Sequence, residues 1–332
     1  MIKNFLIDQF NNLKIFNINL EKLRSKNFHR DMIRMRDTYY KKYNKFLIKK
    51  KIKCNLCKKN NNKIFLRWKN YILYSCTYCG AVFNNIDLKN FSKYSNFHSN
   101  HTRYEDFKRE LVKTFNYRKK NFGVERYNYI KKKIFNKKKS FKILDYGCGA
   151  GSFLSVLKDK NIFCKGIDLD RNAVEFCNQK KLNVTLSDIN SEPNNFYDLI
   201  TLFDTIEHFY DPIKEMRSIA KKIKKKSFLL AFTPNIHSLS FELMKDEHNM
   251  FSVFDHMNFF NLKSLNYLSD KIGLKIISIE YLGLDIKDYF QFIEAKKNIK
   301  INKLTNKFSN LTQSIIDESK LSNSMRIIFQ KI

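Results

Sequence analysis

The stretch ILDYGCGAGSF, residues 143–153, decides the fold. It reads as an apolar strand ending in an acid, then three alternating glycines, then the start of a helix. Gly147, Gly149 and Gly151 let the backbone turn tightly and approach a ligand with no Cβ in the way. The helix that follows presents its unpaired N-terminal N–H groups at the same place. A glycine turn of this kind serves several nucleotide-like ligands. Two details point to S-adenosylmethionine (SAM). Asp145, just before the turn, repels a pyrophosphate but orients a cationic amino group. The spacing is also G-x-G-x-G, not the G-x-G-x-x-G of dinucleotide folds.

Outward from this turn, short apolar strands alternate with helical stretches. The strands read as 142–147, 164–169, 184–188, 197–204 and 227–234, with helices near 151–160, 171–180 and 212–224. Strand–helix alternation predicts a parallel sheet wrapped by helices. A helix near 264–272, a strand over 274–282, a long helical stretch and a strand-like MRIIFQKI (325–332) complete the chain. Successive strands end in acids: Asp168 after the second, Asp188 after the third, Asp204 and Glu207 after the fourth. Asp168 suits both hydroxyls of a ribose, and Asp188 an adenine amine. Acids at the carboxyl ends of consecutive strands converge where open α/β sheets bind ligands.

ILDYGCGAGSF, GIDLD, SDI and YDLITLFDTIEHFYDP together resemble the successive motifs of class I SAM-dependent methyltransferases, most closely the ubiquinone-biosynthesis O-methyltransferase-like group. The resemblance covers about 140–284. It implies a Rossmann-like seven-stranded α/β sheet with a final antiparallel strand, for which 325–332 is the candidate. It further implies that Asp145, Gly147, Gly149 and Gly151 frame the methionine part of SAM. Asp168 and Leu169 then stand at the ribose, Asp188 and Ile189 at the adenine, and Phe203 and Asp204 along the pocket.

Cys54-x2-Cys57 and Cys76-x2-Cys79 lie eighteen residues apart in a β-rich, aromatic stretch. That is the spacing of a four-thiolate structural zinc site between two knuckles. Gly80 allows a tight turn after the second pair; Lys58 stands at the matching place after the first. The expected organisation is a helical extension over 1–50, a zinc ribbon over 51–85 and a helical lid or linker over 104–139. A methyltransferase domain follows over 140–332, with a helical insertion at 285–324. Ribbon-then-methyltransferase order resembles methyltransferases of deoxysugar and surface-polysaccharide synthesis, and also some ribosomal RNA methyltransferases.

The chain has 332 residues, 43% hydrophobic and 15% aromatic, which is globular rather than disordered. No run is apolar enough to span a membrane. No secretory signal is visible, and seven cysteines argue against a disulfide framework. The expectation is a cytoplasmic protein. The net charge of +31 attracts polyanions. However, the lysines are spread along the chain, as A/T-rich codon usage gives, and not clustered as a binding footprint is.

No Asn/Asp-Pro-Pro-Tyr/Phe motif and no Pro-Cys follow the fourth strand, which argues against methylation of a planar amine and against a cysteine nucleophile. Candidate bases are His256 and Glu207, then His208 and His237. Tyr104, Tyr117 and Phe122 are candidates for a lid. The acceptor expected is an oxygen or carbon of a small polar molecule, such as a nucleotide-linked sugar or glycan precursor. RNA methylation and a non-catalytic zinc-ribbon interaction protein are the rival readings.

Overall fold

The computed structural model describes residues 18–25, 27–50, 52–93, 111–135, 140–301 and 303–332. Seven strands form the main sheet: β4 Lys142–Tyr146, β5 Phe163–Asp168, β6 Val184–Leu186, β7 Tyr197–Phe203, β8 Ile223–Pro234, β10 Leu274–Tyr281 and β11 Ser324–Lys331. Their order is β10-β11-β8-β7-β4-β5-β6. The pairs β4/β5, β5/β6, β4/β7 and β7/β8 are parallel. Strand β11 runs antiparallel to both β8 and β10. This is the Rossmann-like seven-stranded α/β sheet that the resemblance implies, and MRIIFQKI lies in its reversed strand.

The middle of the sheet explains why its strands read as mostly apolar runs. All seven residues of β7 are buried, because helices cover both faces of a parallel sheet. Helix α5, Ser152–Asp159, buries Phe153, Leu154, Val156 and Leu157 on the sheet. Strand β8 begins at Ile223, inside a segment whose lysines read as helix end. Lys224–Lys226 are carried through a register shift near its start, with Lys226 in the left-handed region at φ 61°.

A second sheet has the order β1-β2-β3-β9, from β1 Asn62–Trp68, β2 Tyr71–Cys76, β3 Val82–Asn84 and β9 Asn258–Phe259. The cysteine-bearing hairpins therefore share a sheet with a strand from far along the chain. Helices α1 (Leu20–Leu23) and α2 (Phe28–Tyr43) lie at the N-terminal side. Short helix α3 is Leu88–Lys93. Helix α4 runs through the segments Phe115–Arg118, Lys119–Gly123, Val124–Ile130 and Lys131–Phe135 as alternating α and wider π turns.

Between β10 and β11 stand two helices, Asp285–Lys297 and Lys303–Glu318. Buried carboxylates tie them down. Asp285 accepts from Ser240 Oγ at 2.6 Å, Gln313 Nε2 at 3.0 Å and the Asn323 amide at 2.9 Å. Asp288 pairs with Arg24, which joins the N-terminal helices to this insertion. A buried carboxylate is tolerated only when its lone pairs are satisfied in this way. Tyr104, one of the lid candidates, lies outside the described residues. Among the described residues no helix is long and apolar enough to cross a membrane.

Candidate active site

The strands β4, β5, β6 and β7 deliver their carboxyl ends to one cavity of about 780 Å³. Its floor is the glycine turn. Gly147, Gly149 and Gly151 have φ of 74°, 52° and 71°, all left-handed. At Gly147 the need for glycine is also steric: a Cβ there would lie 2.6 Å from Thr205 Oγ1. Gly147, Gly149 and the Cys148 and Ala150 between and after them line the cavity; Gly151 instead caps α5 from behind the wall.

Asp145 and Asp168 line the cavity on either side of this turn. Asp145 is buried, and its Oδ1 accepts from Thr201 Oγ1 at 2.6 Å. Burial pushes its carboxyl up to about 6, against the pull of Thr201 and Arg126. Asp168 Oδ2 accepts from the Gly149 amide at 2.8 Å and Oδ1 from the Asp170 amide at 2.9 Å. One carboxylate thus pins the glycine loop and the entry to α6, Arg171–Gln179. Leu169, half exposed, borders the cavity beside it.

Asp188 and Asn190 line the far end; Asp188 Oδ1 caps the next turn through the Asn190 amide at 2.8 Å. Ile189 points the other way and is fully buried in the core. Phe203 and Asp204 both reach the cavity. Asp204 holds a left-handed φ of 54°, an uncommon conformation for a residue with a side chain. The protein around its carboxylate raises its pKa above the ordinary value, against the pull of Arg126 and Arg118.

The candidate bases separate. His208 lines the cavity, whereas Glu207 and His256 stand behind its wall, and His237 is bonded to Asn261 at 3.1 Å. Glu207 is buried, takes one hydrogen bond from Thr233 Oγ1 at 3.0 Å and has its Oε1 unpaired. Burial pushes it up to about 7. His208 Nδ1 lies 2.9 Å from the Asp255 carbonyl oxygen and 3.3 Å from Asp255 Oδ1. Glu207, His208 and His256 each bring one donor atom within 4.8 Å of the others.

Three wall residues carried no sequence signal. Met32 and Met35 reach the cavity from α2, and Arg126 from α4. The Arg126 guanidinium is nearly buried, stacks 3.8 Å over Phe203 and lies 3.8 Å from Asp204. In a chain so rich in Lys and Arg, one more arginine does not stand out. Tyr117 and Phe122, the described lid candidates, do not line the cavity; the Tyr117 hydroxyl caps the Asn19 amide at 2.7 Å.

Apart from this cavity, Cys54, Cys57, Cys76 and Cys79 bring all four sulfurs within 4.8 Å of one another. Backbone amides point at them: those of Leu56 and Cys57 at Cys54, of Lys59 at Cys57 and of Ala81 at Cys79. Amides aimed at sulfur stabilise thiolates, so this donor set suits a soft tetrahedral cation. Lys58 and Gly80 occupy matching places, at φ 61° and 79°. The first knuckle therefore adopts the glycine conformation with a lysine, which costs on the order of 1 kcal/mol.

The family model described as a methyltransferase domain matches residues 98–279, more than half of the chain. The chain belongs to that family. It is a SAM-dependent methyltransferase. Among proteins of known name, this methyltransferase is 24% identical over 195 residues to the ubiquinone biosynthesis O-methyltransferase of Vibrio campbellii, covering 53% of this chain and 80% of that one. The protein of the same name from Coxiella burnetii is 22% identical over 194 residues, 54% and 81% of the two chains. A SAM-dependent methyltransferase structure from Archaeoglobus fulgidus superposes with a TM-score of 0.45 at 21% identity, covering 65% of this chain and 99% of that one. The methyltransferase cavity accordingly has SAM as its donor, and its acid-and-glycine floor fits a ligand with an ammonium group and a ribose.

Proposed function

We propose that this methyltransferase transfers the methyl group to a hydroxyl oxygen of a small acceptor, with His208 as the general base. The observation that carries this reading is the His208 ring: it lines the donor cavity while its Nδ1 faces the carbonyl and carboxylate of Asp255. Both partners are acceptors, so Nδ1 keeps the proton and Nε2 keeps a lone pair. When bound, SAM supplies an electrophilic methyl group on a sulfonium. His208 Nε2 then takes the hydroxyl proton as the oxygen attacks. The relatives named as O-methyltransferases support the same choice of acceptor atom. A sugar hydroxyl belongs to this class of acceptor, and so does a phenol.

Asp145 and the glycine turn hold the amino-acid end of the donor, Asp168 the ribose diol, and Asp188 with Asn190 the adenine edge. Arg126, on the cavity wall, complements the donor carboxylate beside Asp145. The four cysteines hold a structural zinc ion.

Two results are expected. His208→Ala lowers kcat by about a hundredfold to ten-thousandfold, the range for loss of a general base, while S-adenosylhomocysteine still binds. Radiolabelled-methyl transfer to a panel of catechols and nucleotide sugars reads the first, and calorimetry the second. Unchanged turnover in His208→Ala, or turnover that depends on added divalent ions, overturns the base assignment. The second result concerns pH. Asp145 titrates near 6 in the free protein, and its ionised form is the one that attracts an ammonium group. S-adenosylhomocysteine should bind about tenfold more weakly at pH 5 than at pH 7.5. The same raised pKa stabilises the free fold below the ordinary carboxylate range and loses that contribution as pH rises through 6. Calorimetric affinities that are flat between pH 5 and 7.5 count against Asp145 as the ammonium partner.

A further inference from the structure

Segment 252–257, which carries Asp255 and His256, forms no helix or strand. No hydrogen-bond ladder of its own holds it against His208. The cysteine module supplies the hold. Strand β3 pairs with β9 directly after this segment, Val82 with Phe259 and Phe83 with Asn258. Asn84, buried at the end of β3, donates from Nδ2 to the His256 carbonyl at 3.0 Å. Asn261 Nδ2 donates back to the Gly80 carbonyl at 2.7 Å, in the second knuckle. On the other side the Met257 amide donates to the Glu207 carbonyl at 2.8 Å, and Asn258 Nδ2 to the Phe209 carbonyl at 2.6 Å. Hydrogen bonds thus tie segment 256–261 to the cysteine module on one side and to the turn that bears His208 on the other.

We propose that the four-cysteine module is a working part of the active-site wall: through Asn84 and Asn261 it holds Asp255 where it sets the tautomer and orientation of His208. Asn84, Asn261 and Asp255 are positioning residues. The inference rests on the reading of His208 as the base. Its physical ground is that an imidazole chooses its protonated nitrogen by the acceptor that the other groups present. A carbonyl can make that choice only if its loop is held at hydrogen-bond distance. The donor half of the cavity, built on Asp145, the glycine turn and Asp168, takes none of these bonds from the module. Donor binding and base positioning are therefore separable.

The test uses the full chain, labelled with ¹⁵N-histidine and saturated with S-adenosylhomocysteine, and reads the His208 ring by long-range ¹H–¹⁵N correlation. Assignment comes from His208→Ala. Asn84→Asp and Asn261→Asp keep each acceptor oxygen and its local bond, to the Ile86 amide and the Ser264 amide, while removing the donor to the clamp. Wild type should show the Nδ1–H tautomer alone. Both variants should lose it to a mixture, with the calorimetric Kd for S-adenosylhomocysteine within about twofold of wild type, which also shows that they fold. An Nδ1–H tautomer that persists unmixed in both Asn variants overturns this inference and leaves the base assignment standing. An Nε2–H tautomer in wild type overturns the base assignment itself.

Discussion

Replacing Cys79 with serine is expected to lower the melting temperature of the intact chain by about 10 °C or more. Cys79 is buried, and its sulfur lies 3.6 Å from that of Cys54. Serine offers no thiolate, so the four-sulfur donor set loses a corner. Structural zinc sites contribute on the order of 10 kcal/mol to the folding of the small modules they hold. Only part of that is lost here, because β2, β3 and β9 still pair. A loss of about 4 kcal/mol is nonetheless a shift of about 10 °C in a domain of this size. The loss spreads beyond the module: Cys54, Leu56, Cys76, Cys79, Ala81 and Phe83 pack in one cluster with Phe260, Leu265 and Leu268 of the main domain. Circular dichroism melts check the stability, and native mass spectrometry checks the ion. A native mass equal to the bare chain, with an unchanged melt in Cys79→Ser, removes the zinc site from the account.

Asp168→Ala should weaken S-adenosylhomocysteine binding on the order of a hundredfold or more. The carboxylate has two tasks in the proposed site. It is to take the ribose diol, and it already holds the Gly149 and Asp170 amides. Hydrogen bonds to a charged group are worth about 1.5–3 kcal/mol each. Losing two such bonds to the ligand removes about 3 kcal/mol or more, which is about a hundredfold in Kd. Asp168→Asn keeps one acceptor oxygen and should fall between the two. Calorimetry on both variants separates the outcomes, with far-UV circular dichroism to show that the sheet is intact. An affinity in Asp168→Ala equal to wild type overturns the ribose assignment.

Much of this architecture was legible because its causes are local. A parallel strand buried on both faces reads as a nearly continuous apolar run, broken in Leu199–Phe203 only by Thr201, and a left-handed turn beside a packed Thr205 must be glycine, as at Gly147. The acids at strand ends follow from the same register. Which way a side chain turns was not legible where remote contacts decide it. Ile189 follows Asp188 directly, yet its side chain packs in the core cluster that holds Ile167, Ile200 and Ile206. Glu207 and His208 are neighbours, yet only His208 faces the cavity, since the Glu207 carboxylate goes to Thr233 on β8. The start of β8 was hidden because three lysines on a strand look like a solvated helix end until β7 pairs beside them.

Sequence by itself determined the strand–glycine–helix turn, the acids that flank it and the spacing of the cysteine pairs. Each is a short-range pattern whose physical demand falls on the residues that show it. Tertiary structure alone decided that Met32, Met35 and Arg126 complete the cavity, and that the cysteine module joins the wall behind His208. Those contacts bring together segments such as Asn84 and His256 that stand far apart along the chain. Their bonds depend on how segments distant in the chain pack together, and no local pattern of side chains records that.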